Sequence, residues 1–423
     1  MSAFRLHPTA SLLVAALAAL ASPALAADEI HWTVMGQTAI TVDWRGSETT
    51  VRYGTTTSYG QTVTALTPTP LPFSSAGPFW EARVTGLAEN TLYHYSIGTG
   101  ADHTFRTPPP RGASNFSIYV EGDIGDAATY ANVAKVQTVI AGDLPRFVLM
   151  VGDLTYGNAH GQAVVDRHYN DVMVWSTDAA YMPAWGNHEW DVPSADDLRN
   201  YKGRLDLPNQ QTSPGSPSVS CCGEDWYWFD YGNVRFIAYP EPWSGALSDW
   251  NTKAKALMDQ AQADPSITFI VTYGHRPAYS SGHHPGLTEL KNDLDALGAS
   301  HSKYQLDLCG HSHNYERTIP LSGVTHVTVG CGGSSFEQDG TCLWYGGCPP
   351  PSWTAFRAFR HSPLRVTFTP NSMVCAAICG PTDPKQDNNC TAGTIMDGWT
   401  ILSGTGTVDN TPPSAPTNLR VRP

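Results

Sequence analysis

The sequence has few charged residues, and fewer of them are basic than acidic. Asp, Glu, Lys and Arg make up only 15% of the 423 residues, against roughly 25% in average soluble domains. Lys and Arg number 25 against 38 Asp and Glu, which gives a formal net charge of −13. Phosphate backbones attract basic surfaces, so this balance argues against nucleic acid or an anionic membrane as the main partner. An anionic substrate would need a local source of positive charge.

Long hydrophobic runs are absent after residue 26. Within residues 1–26, Arg5 precedes an apolar run from Leu12 to Leu20, and Ala24-Leu25-Ala26 has the A-x-A form of a cleavage site. This order is typical of a secretory signal peptide, and the run is shorter than the about 20 residues that span a bilayer. We therefore predict an exported protein, secreted or periplasmic, with no membrane span. An uncleaved N-terminal anchor is the alternative.

Paired C-x-x-C motifs are also absent, which argues against a zinc ribbon. The nine cysteines all lie after residue 220. In an oxidising compartment we expect disulfides, and an odd number leaves at least one thiol unpaired. Our candidate for the free thiol is Cys309, which follows the apolar run Leu306 to Leu308. The connectivity of the other eight stays open, because eight cysteines can pair in many ways.

Residues 28–107 have the pattern of a β-sandwich, because short alternating runs are separated by turn residues. The runs are Ala39–Trp44, Thr50–Tyr53, Trp80–Val84 and Leu92–Ile97. The segments Val84-Thr85-Gly86-Leu87 and Thr91-Leu92-Tyr93-His94-Tyr95 resemble fibronectin type III-like domains, in which such a tyrosine lies at a strand corner. Pro108-Pro109-Pro110 then predicts a stiff linker over residues 108–113.

Residues 114–402 follow a different pattern, in which continuous apolar runs alternate with predicted helices. Phe116–Val120 and Phe147–Val151 are typical of strands that are buried on both faces. Between them we predict a helix over Ala127–Ile140 with Asp126 as its N-cap, and a later helix over Ser248–Ala263. This alternation predicts an α/β sandwich. The fold class is therefore multidomain, with an N-terminal β-sandwich followed by an α/β sandwich.

The last segment, residues 403–423, is expected to be a linker and the start of a further domain. Asn410 to Val421 resembles the opening of another fibronectin type III-like domain. A dozen residues cannot form a sandwich, so we expect the natural chain to continue.

Five polar clusters come directly after apolar runs of the α/β region. Ligands bind at such positions in α/β sheets, because the loops that leave the strand ends converge. Taken singly each cluster is weak, since an Asp after a strand is more often a turn residue. Together they offer carboxylate, amide, phenol and imidazole groups, which suit a pair of hard or borderline metal ions. The clusters are Gly122-Asp123-Ile124-Gly125, Gly152-Asp153-Leu154-Thr155-Tyr156, Gly186-Asn187-His188-Glu189, Gly274-His275 and Gly310-His311-Ser312-His313.

In these five blocks, taken in this order over residues 116–330, the chain resembles the purple acid phosphatases, a branch of the calcineurin-like metallophosphoesterases. The segment Leu308 to Thr318 reads like the last block of that family. The resemblance implies that Asp123, Tyr156 and His313 hold Fe(III). It implies further that Asn187, His275 and His311 hold a divalent ion (Zn, Mn or Fe(II)), and that Asp153 bridges the two metals.

Tyr156 is the most specific signal in the sequence. Most other metallophosphoesterases have Asp-x-His in the first block, whereas this chain has Asp123-Ile124-Gly125, and Tyr156 in the second block compensates. A phenolate donor suits trivalent iron. The chain departs from the family at Thr272, where a valine is usual, and we expect only a difference in packing there.

The resemblance implies a phosphatase of the acid type that hydrolyses phosphate monoesters with a metal-activated hydroxide. The leaving alkoxide needs a proton, and histidine is the usual donor. The candidates are His188, beside Asn187, and the pair His283-His284 on the loop Ser280–Pro285. A tandem pair on a Gly/Ser loop can also be merely solvated. We expect Glu189 to orient a neighbour rather than to react.

Two other functions stay open from the sequence. The same metal centre could serve a phosphodiesterase or a nucleotide-cleaving enzyme. Alternatively, an exported adhesion or carbohydrate-associated protein could carry an inactive core, but the complete ligand set argues against this. The expected partner is a small phosphate ester, and the oligomeric state is open.

Overall fold

A computed structural model of the chain describes residues 26–191, 198–217, 223–404 and 408–410. Cys221, Cys222, the segment 411–423 and all but the last residue of the predicted signal peptide lie outside these ranges. None of the helices within them has the length and apolar character that a bilayer crossing requires.

The N-terminal region, residues 28–106, consists of two facing antiparallel sheets. Three strands form one sheet in the order β1-β2-β5, and four form the other in the order β4-β3-β6-β7. This confirms the predicted β-rich first region. The strands are β1 Asp28–Val34, β2 Ile40–Arg45, β3 Thr50–Gly54, β4 Gln61–Thr64, β5 Phe79–Val84, β6 Leu92–Ile97 and β7 His103–Arg106.

Strand β1 shows how the alternating sequence produces this packing. Ile30, Trp32 and neighbouring apolar side chains on the same face are buried, and the Trp32 ring lies 5.9 Å from that of Phe105 in the other sheet. The opposite face is polar and contacts the α/β region, where Arg204 Nε donates to Glu29 Oε2 at 2.8 Å. Successive side chains of a strand point to opposite faces, so one strand serves both contacts.

The tyrosine corner predicted from the sequence has a structural counterpart. The backbone N–H of Ala88 donates to the Tyr93 hydroxyl at 3.0 Å. A hydroxyl bonded to backbone a few residues upstream is the defining contact of such corners. The assignment to a fibronectin type III-like class and the domain boundaries stay predictions.

The α/β region contains two seven-stranded mixed sheets. Their strand orders are β10-β9-β8-β18-β19-β20-β21 and β11-β12-β13-β14-β16-β15-β17. The strands are β8 Phe116–Glu121, β9 Phe147–Val151, β10 Ala180–Ala184, β11 Trp228–Tyr231, β12 Val234–Ala238, β13 Phe269–Tyr273, β14 Tyr304–Cys309, β15 Tyr315–Thr318, β16 Thr325–Val329, β17 Thr354–Ala358, β18 Leu364–Phe368, β19 Ser372–Ile378, β20 Ile395–Leu402 and β21 Val408–Asp409. The helices are α1 Val133–Asp143, α2 Gly157–His160, α3 Ala163–Asp171, α4 Met173–Ser176, α5 Asn187–Trp190, α6 Arg199–Lys202, α7 Ala246–Ala263 and α8 Thr288–Ser300.

The two large sheets pack face to face around an aromatic core. The Phe236 ring of β12 lies 5.4 Å from Phe147 of β9 and 5.7 Å from Phe368 of β18. Strands β8 to β10 run parallel in one sheet, and β12 to β14 with β16 run parallel in the other. The predicted α/β sandwich is confirmed, with two sheets whose parallel strands send their carboxyl ends to a common edge.

The first helix of this region begins later than predicted. Helix α1 begins at Val133, after Asn132, and Asp126 is not its N-cap. The Asp126 carboxylate instead accepts the N–H of Ala128 and the hydroxyl of Thr129. The acidic side chain therefore organises a separate turn, which a sequence pattern does not distinguish from a helix start.

The structure pairs four of the seven cysteines that it describes. The disulfides are Cys342–Cys348 and Cys379–Cys390. Cys309 is free and buried, as predicted, and Cys331 and Cys375 are also free and buried.

Candidate metal centre

The five polar clusters converge at one edge of the sandwich. The loops that follow β8, β9 and β10 come from one sheet, and those that follow β13 and β14 come from the other. The clustered side chains therefore meet across the two sheets, whereas each set of loops alone would supply only part of the site. Asp153 with Asp123 and His313, and Asp153 with His275 and His311, form two groups whose ligand atoms lie within 4.8 Å of one another.

The first group brings together the residues predicted to hold iron. His313 Nε2 lies 3.2 Å from Asp123 Oδ1 and 3.0 Å from the Tyr156 hydroxyl. Tyr156 is only 3% exposed and Asp123 is fully buried. A carboxylate, a phenol and an imidazole thus face one point.

The second group surrounds Asp153, the predicted bridge. Its Oδ2 lies 3.1 Å from His275 Nε2, and its Oδ1 accepts the backbone N–H of His188 at 2.9 Å. Asn187 begins α5, and its Oδ1 is buried without a hydrogen-bond partner among the described residues. Burying an amide oxygen without a partner costs free energy, so an oxygen-seeking cation would complete this site.

Backbone carbonyls orient two of the imidazoles. His275 Nδ1 donates to Val151 O at 3.0 Å, and His313 Nδ1 donates to Ser335 O at 2.7 Å. Because a carbonyl only accepts, each Nδ1 carries a proton, and each Nε2 faces the centre, where it would offer its lone pair to a bound metal. Histidine ligands of metals are commonly oriented in this way.

Four of the seven predicted ligands have left-handed backbone conformations. This region is sterically costly for residues with a Cβ, and it persists where the surrounding structure enforces it. The sharp turns after the strands aim these side chains into the centre. The φ values are 57° at Asp123, 50° at Asp153, 60° at Tyr156 and 71° at His311.

Glycines in the same loops permit the close approach of the ligands. A Cβ added at Gly152 would lie 2.6 Å from His275 Nδ1, and one at Gly310 would lie 2.4 Å from Asp123 Oδ2. Such distances are shorter than van der Waals contact, so only glycine fits at these two positions.

Glu189 fixes the relative position of two loops. Its carboxylate accepts the backbone N–H groups of Asp153, Leu154 and Gly186 at 2.8 to 2.9 Å. The prediction that it orients a neighbour agrees with these contacts, since the neighbours are the backbone of the second and third clusters.

The electrostatics of the cluster favour a cation. Burial opposes ionisation of both His275 and Asp153, but their mutual attraction outweighs it. It raises the pKa of His275 to about 10 and lowers that of Asp153 below its usual range. The pKa of Tyr156 is raised by burial and by the charges of Asp123 and Asp153. A phenolate here would therefore depend on a strongly charged metal ion, and the residues present fit such a pair of ions.

Arg276 is a residue that the sequence reasoning missed. Its Nη1 donates to His311 Nε2 at 2.7 Å, and its Nη2 lies 3.1 Å from Glu241 Oε2. If His311 binds a metal through Nε2, that nitrogen can no longer accept the hydrogen bond from Arg276. If His311 binds a metal through Nδ1, Nε2 carries a proton, and two N–H donors then face each other. In both cases Arg276 must shift, and Glu241 offers it a partner. The motif Gly274-His275 gave no signal for this contact.

The three candidate proton donors lie at the same edge. The His284 ring stacks on that of His311 at 3.9 Å, and the His283 ring lies 4.6 Å from that of His284. His188 Nε2 lies 3.8 Å from Asp153 Oδ2, and burial lowers the pKa of His188, while the charge of Asp153 partly offsets this effect.

A cleft of about 490 Å³ opens beside these histidines. Its wall includes Glu337, whose Oε2 lies 3.3 Å from His284 Nε2, and Tyr345 from the loop between Cys342 and Cys348. Both come from a cysteine-rich stretch to which the sequence analysis assigned no role. No local pattern places them beside a loop more than fifty residues away.

Thr272 does more than alter packing. Its hydroxyl donates to Asp307 Oδ1 at 2.7 Å, and Asp307 Oδ2 lies 3.0 Å from His326 Nδ1. The expectation of a packing difference alone is therefore wrong, because Thr272 joins a buried polar network three residues before His275 in the chain.

Comparison with known proteins agrees with this geometry. Residues 116–315 match the family described as calcineurin-like phosphoesterase. The chain is 25% identical to purple acid phosphatase 22 of Arabidopsis thaliana over 313 residues, which cover 70% of this chain and 67% of that protein. It is 26% identical to a nucleotide pyrophosphatase/phosphodiesterase of Hordeum vulgare over 335 residues, which cover 67% and 88%. The structure of purple acid phosphatase PPD1 from Lupinus luteus covers 89% of this chain and is itself covered to 74%, with a TM-score of 0.69 and 19% identity.

These findings define the class of protein. The chain contains a calcineurin-like metallophosphoesterase domain. Its sequence relatives include purple acid phosphatases, and its fold is similar to that of a purple acid phosphatase. The resemblance seen in the sequence is confirmed.

Proposed function

We propose that the protein is an exported acid phosphatase that hydrolyses phosphate monoesters at a mixed dinuclear metal centre. In this proposal Asp123, Tyr156 and His313 hold Fe(III), whereas Asn187, His275 and His311 hold a divalent ion and Asp153 bridges the two. The observation that carries it is the convergence of Tyr156 with His313 and Asp123, because a phenol beside one metal position is specific to the purple branch of the family. The predicted signal peptide supports export.

Each part of the chain has a distinct task in the reaction. When bound, the two metal ions would lower the pKa of water and offset the charge of the phosphoryl oxygens. The hydrogen bonds of His275 and His313 to backbone carbonyls hold the ligand nitrogens in place. His283 and His284 are the proposed donors of the proton to the leaving alkoxide, and His188 lies beside Asp153 and lines the same cleft as His283. The acidic surface gives no attraction for phosphate, so attraction must come from the centre itself.

Metal analysis together with a visible spectrum tests the proposal. The purified protein should contain iron and one divalent metal and absorb visible light through tyrosinate-to-iron charge transfer. Tyr156→Phe should abolish the band and weaken iron binding, because the phenolate oxygen is lost. Tyr130→Phe is the matched control, since its ring lies only 5.6 Å from that of Tyr156 but is not a proposed ligand. A colourless protein with two zinc ions would contradict the assignment.

A second candidate is a phosphodiesterase or nucleotide-cleaving activity on the same centre. The relative from Hordeum vulgare, which carries such a name and is covered to 88%, favours it. Rates on an alkyl monoester, an aryl monoester and a diester distinguish the two, and a clear preference for the diester would favour this second candidate.

A further inference from the structure

The disulfide-closed loop Cys342–Cys348 lies at the metal centre, and the proposed function gives it no task. Its residue Tyr345 is 42% exposed, and its ring lies 4.2 Å from that of His283 in an edge-to-face arrangement. We propose that Tyr345 determines specificity by selecting phosphate esters whose leaving group carries an aromatic ring. The inference rests on the proposed phosphatase function and names the substrate class of the same site.

The loop is fixed to the histidine loop rather than free. Gly346 N–H donates to Ser281 O at 2.9 Å. Arg357 joins the two loops from below, because it donates to the Ser281 hydroxyl and to Gly347 O, both at 3.0 Å. Trp344 anchors the base of the loop and is only 5% exposed. Tyr345 therefore has a defined position relative to His283.

The Tyr345 side chain is exposed rather than packed in the core, which makes its place in the cleft informative. Its neighbour Trp344 buries its ring against Phe359, with a centroid distance of 4.3 Å, whereas Tyr345 points its ring into the cleft. Tyr130, Tyr156 and Phe336 also line this cleft. An ester whose phosphate binds to the metal pair that the seven proposed ligands would hold would extend its leaving group into this space.

Aromatic rings distinguish an aromatic leaving group from an alkyl one. A ring pair gains attraction beyond the area that it buries, through offset or edge-to-face contact. An alkyl group gains only the free energy that comes from burying its apolar area. The cleft volume of about 490 Å³ leaves room for the aromatic ring of a leaving group. Tyr345 and His283 already pack edge to face, and a substrate ring between Tyr130 and Tyr345 would extend this arrangement.

Selectivity between two monoesters tests the proposal. The substrates are 4-nitrophenyl phosphate and glycerol 2-phosphate, and the readout is the ratio of their kcat/KM values together with each KM. Tyr345→Ala and Tyr345→Leu should lower this ratio by about 3- to 10-fold, mainly through KM of the aryl ester. Tyr345→Phe keeps the ring and should retain the ratio. Phe73→Ala, which truncates an exposed aromatic residue in the N-terminal region (37% exposed), is the remote control.

Each other outcome overturns the proposal. If Tyr345→Leu keeps the wild-type ratio, apolar area rather than a ring is what matters. If Tyr345→Ala changes KM of both substrates equally, the residue does not select a leaving group. Absence of hydrolysis of both monoesters by the metal-loaded wild type would instead contradict the monoesterase function itself, so the two failures are distinguishable.

Discussion

The N-terminal region and the α/β region each bury an aspartate, and the two carboxyl groups have opposite surroundings. Asp43 of β2 is 2% exposed and Asp153 is 1% exposed. Burial and the charges of Glu81, Asp206 and Glu224 raise the pKa of Asp43 well above its usual value. Asp153 faces imidazoles, and these lower its pKa despite burial. The pKa values of the two aspartates are therefore displaced in opposite directions.

The difference shows that burial alone does not make a metal ligand. Both oxygens of Asp43 lack a hydrogen-bond partner among the described residues. The charged groups that displace its pKa are acids, which favour its protonated form, and a protonated carboxyl group attracts cations weakly. Asp153 lies among groups that donate protons or lone pairs and keeps its charge. The side chains that surround a buried aspartate therefore determine whether it can act as a metal ligand.

The largest expected effect comes from Asp153→Asn. Loss of the proposed bridge should unseat both metals and lower turnover by more than ~10³-fold, as when a principal catalytic group is removed. His275→Ala should lose mainly the divalent ion. Metal content by mass spectrometry and turnover measure both, and equal partial loss in the two variants would argue against bridging.

A smaller effect is expected when the proposed proton donors are removed without touching a proposed ligand. His283→Ala with His284→Ala should lower turnover of an alkyl monoester by about 10²–10⁴-fold, the usual worth of general acid catalysis. An aryl ester with a good leaving group needs less protonation and should lose less. Metal content should stay as in wild type. Unchanged turnover of the alkyl ester would show that the histidines do not donate the proton.

The smallest effect is expected from Asp43→Asn, which matches Asp153→Asn in the other region. The raised folded-state pKa of Asp43 means that wild type loses stability as pH rises above the unfolded carboxyl's pKa near 4. The variant has no such loss, so it should be more stable than wild type at pH 7 and similar in stability near pH 3. Thermal unfolding at both pH values measures this, with metal content and activity as in wild type. A lower melting temperature at pH 7 would show that the Asp43 carboxyl is ionised and stabilising.

The sequence predicted those parts of the site that depend on local order. Each proposed ligand or its block comes directly after a strand, so an apolar run followed by Gly and a polar residue was sufficient to locate Asp123, Asp153 and His275. Left-handed conformations at the ligands left no comparable mark, because the surrounding structure imposes them on non-glycine residues.

Contacts between distant segments were not predictable in this way. Glu337 and Tyr345 reach the histidine loop from a stretch more than fifty residues further along the chain, and nothing near them marks the contact. Disulfide pairing likewise depends on which cysteines the fold brings together. The start of α1 was misplaced because Asp126 forms a turn with hydrogen bonds that a helix N-cap also uses.

The crowded glycines have a consequence for the mutational tolerance of the enzyme. Gly152 and Gly310 carry no reactive group, yet a single added methyl at either would displace His275 or Asp123. If every position were substituted in turn, substitutions at these two glycines should reduce activity as much as substitutions of the ligands themselves. Many inactive variants would then retain every donor atom. The number of positions at which a substitution inactivates the protein is therefore larger than the number of proposed ligands. An intact set of ligands in a sequence does not guarantee an active enzyme.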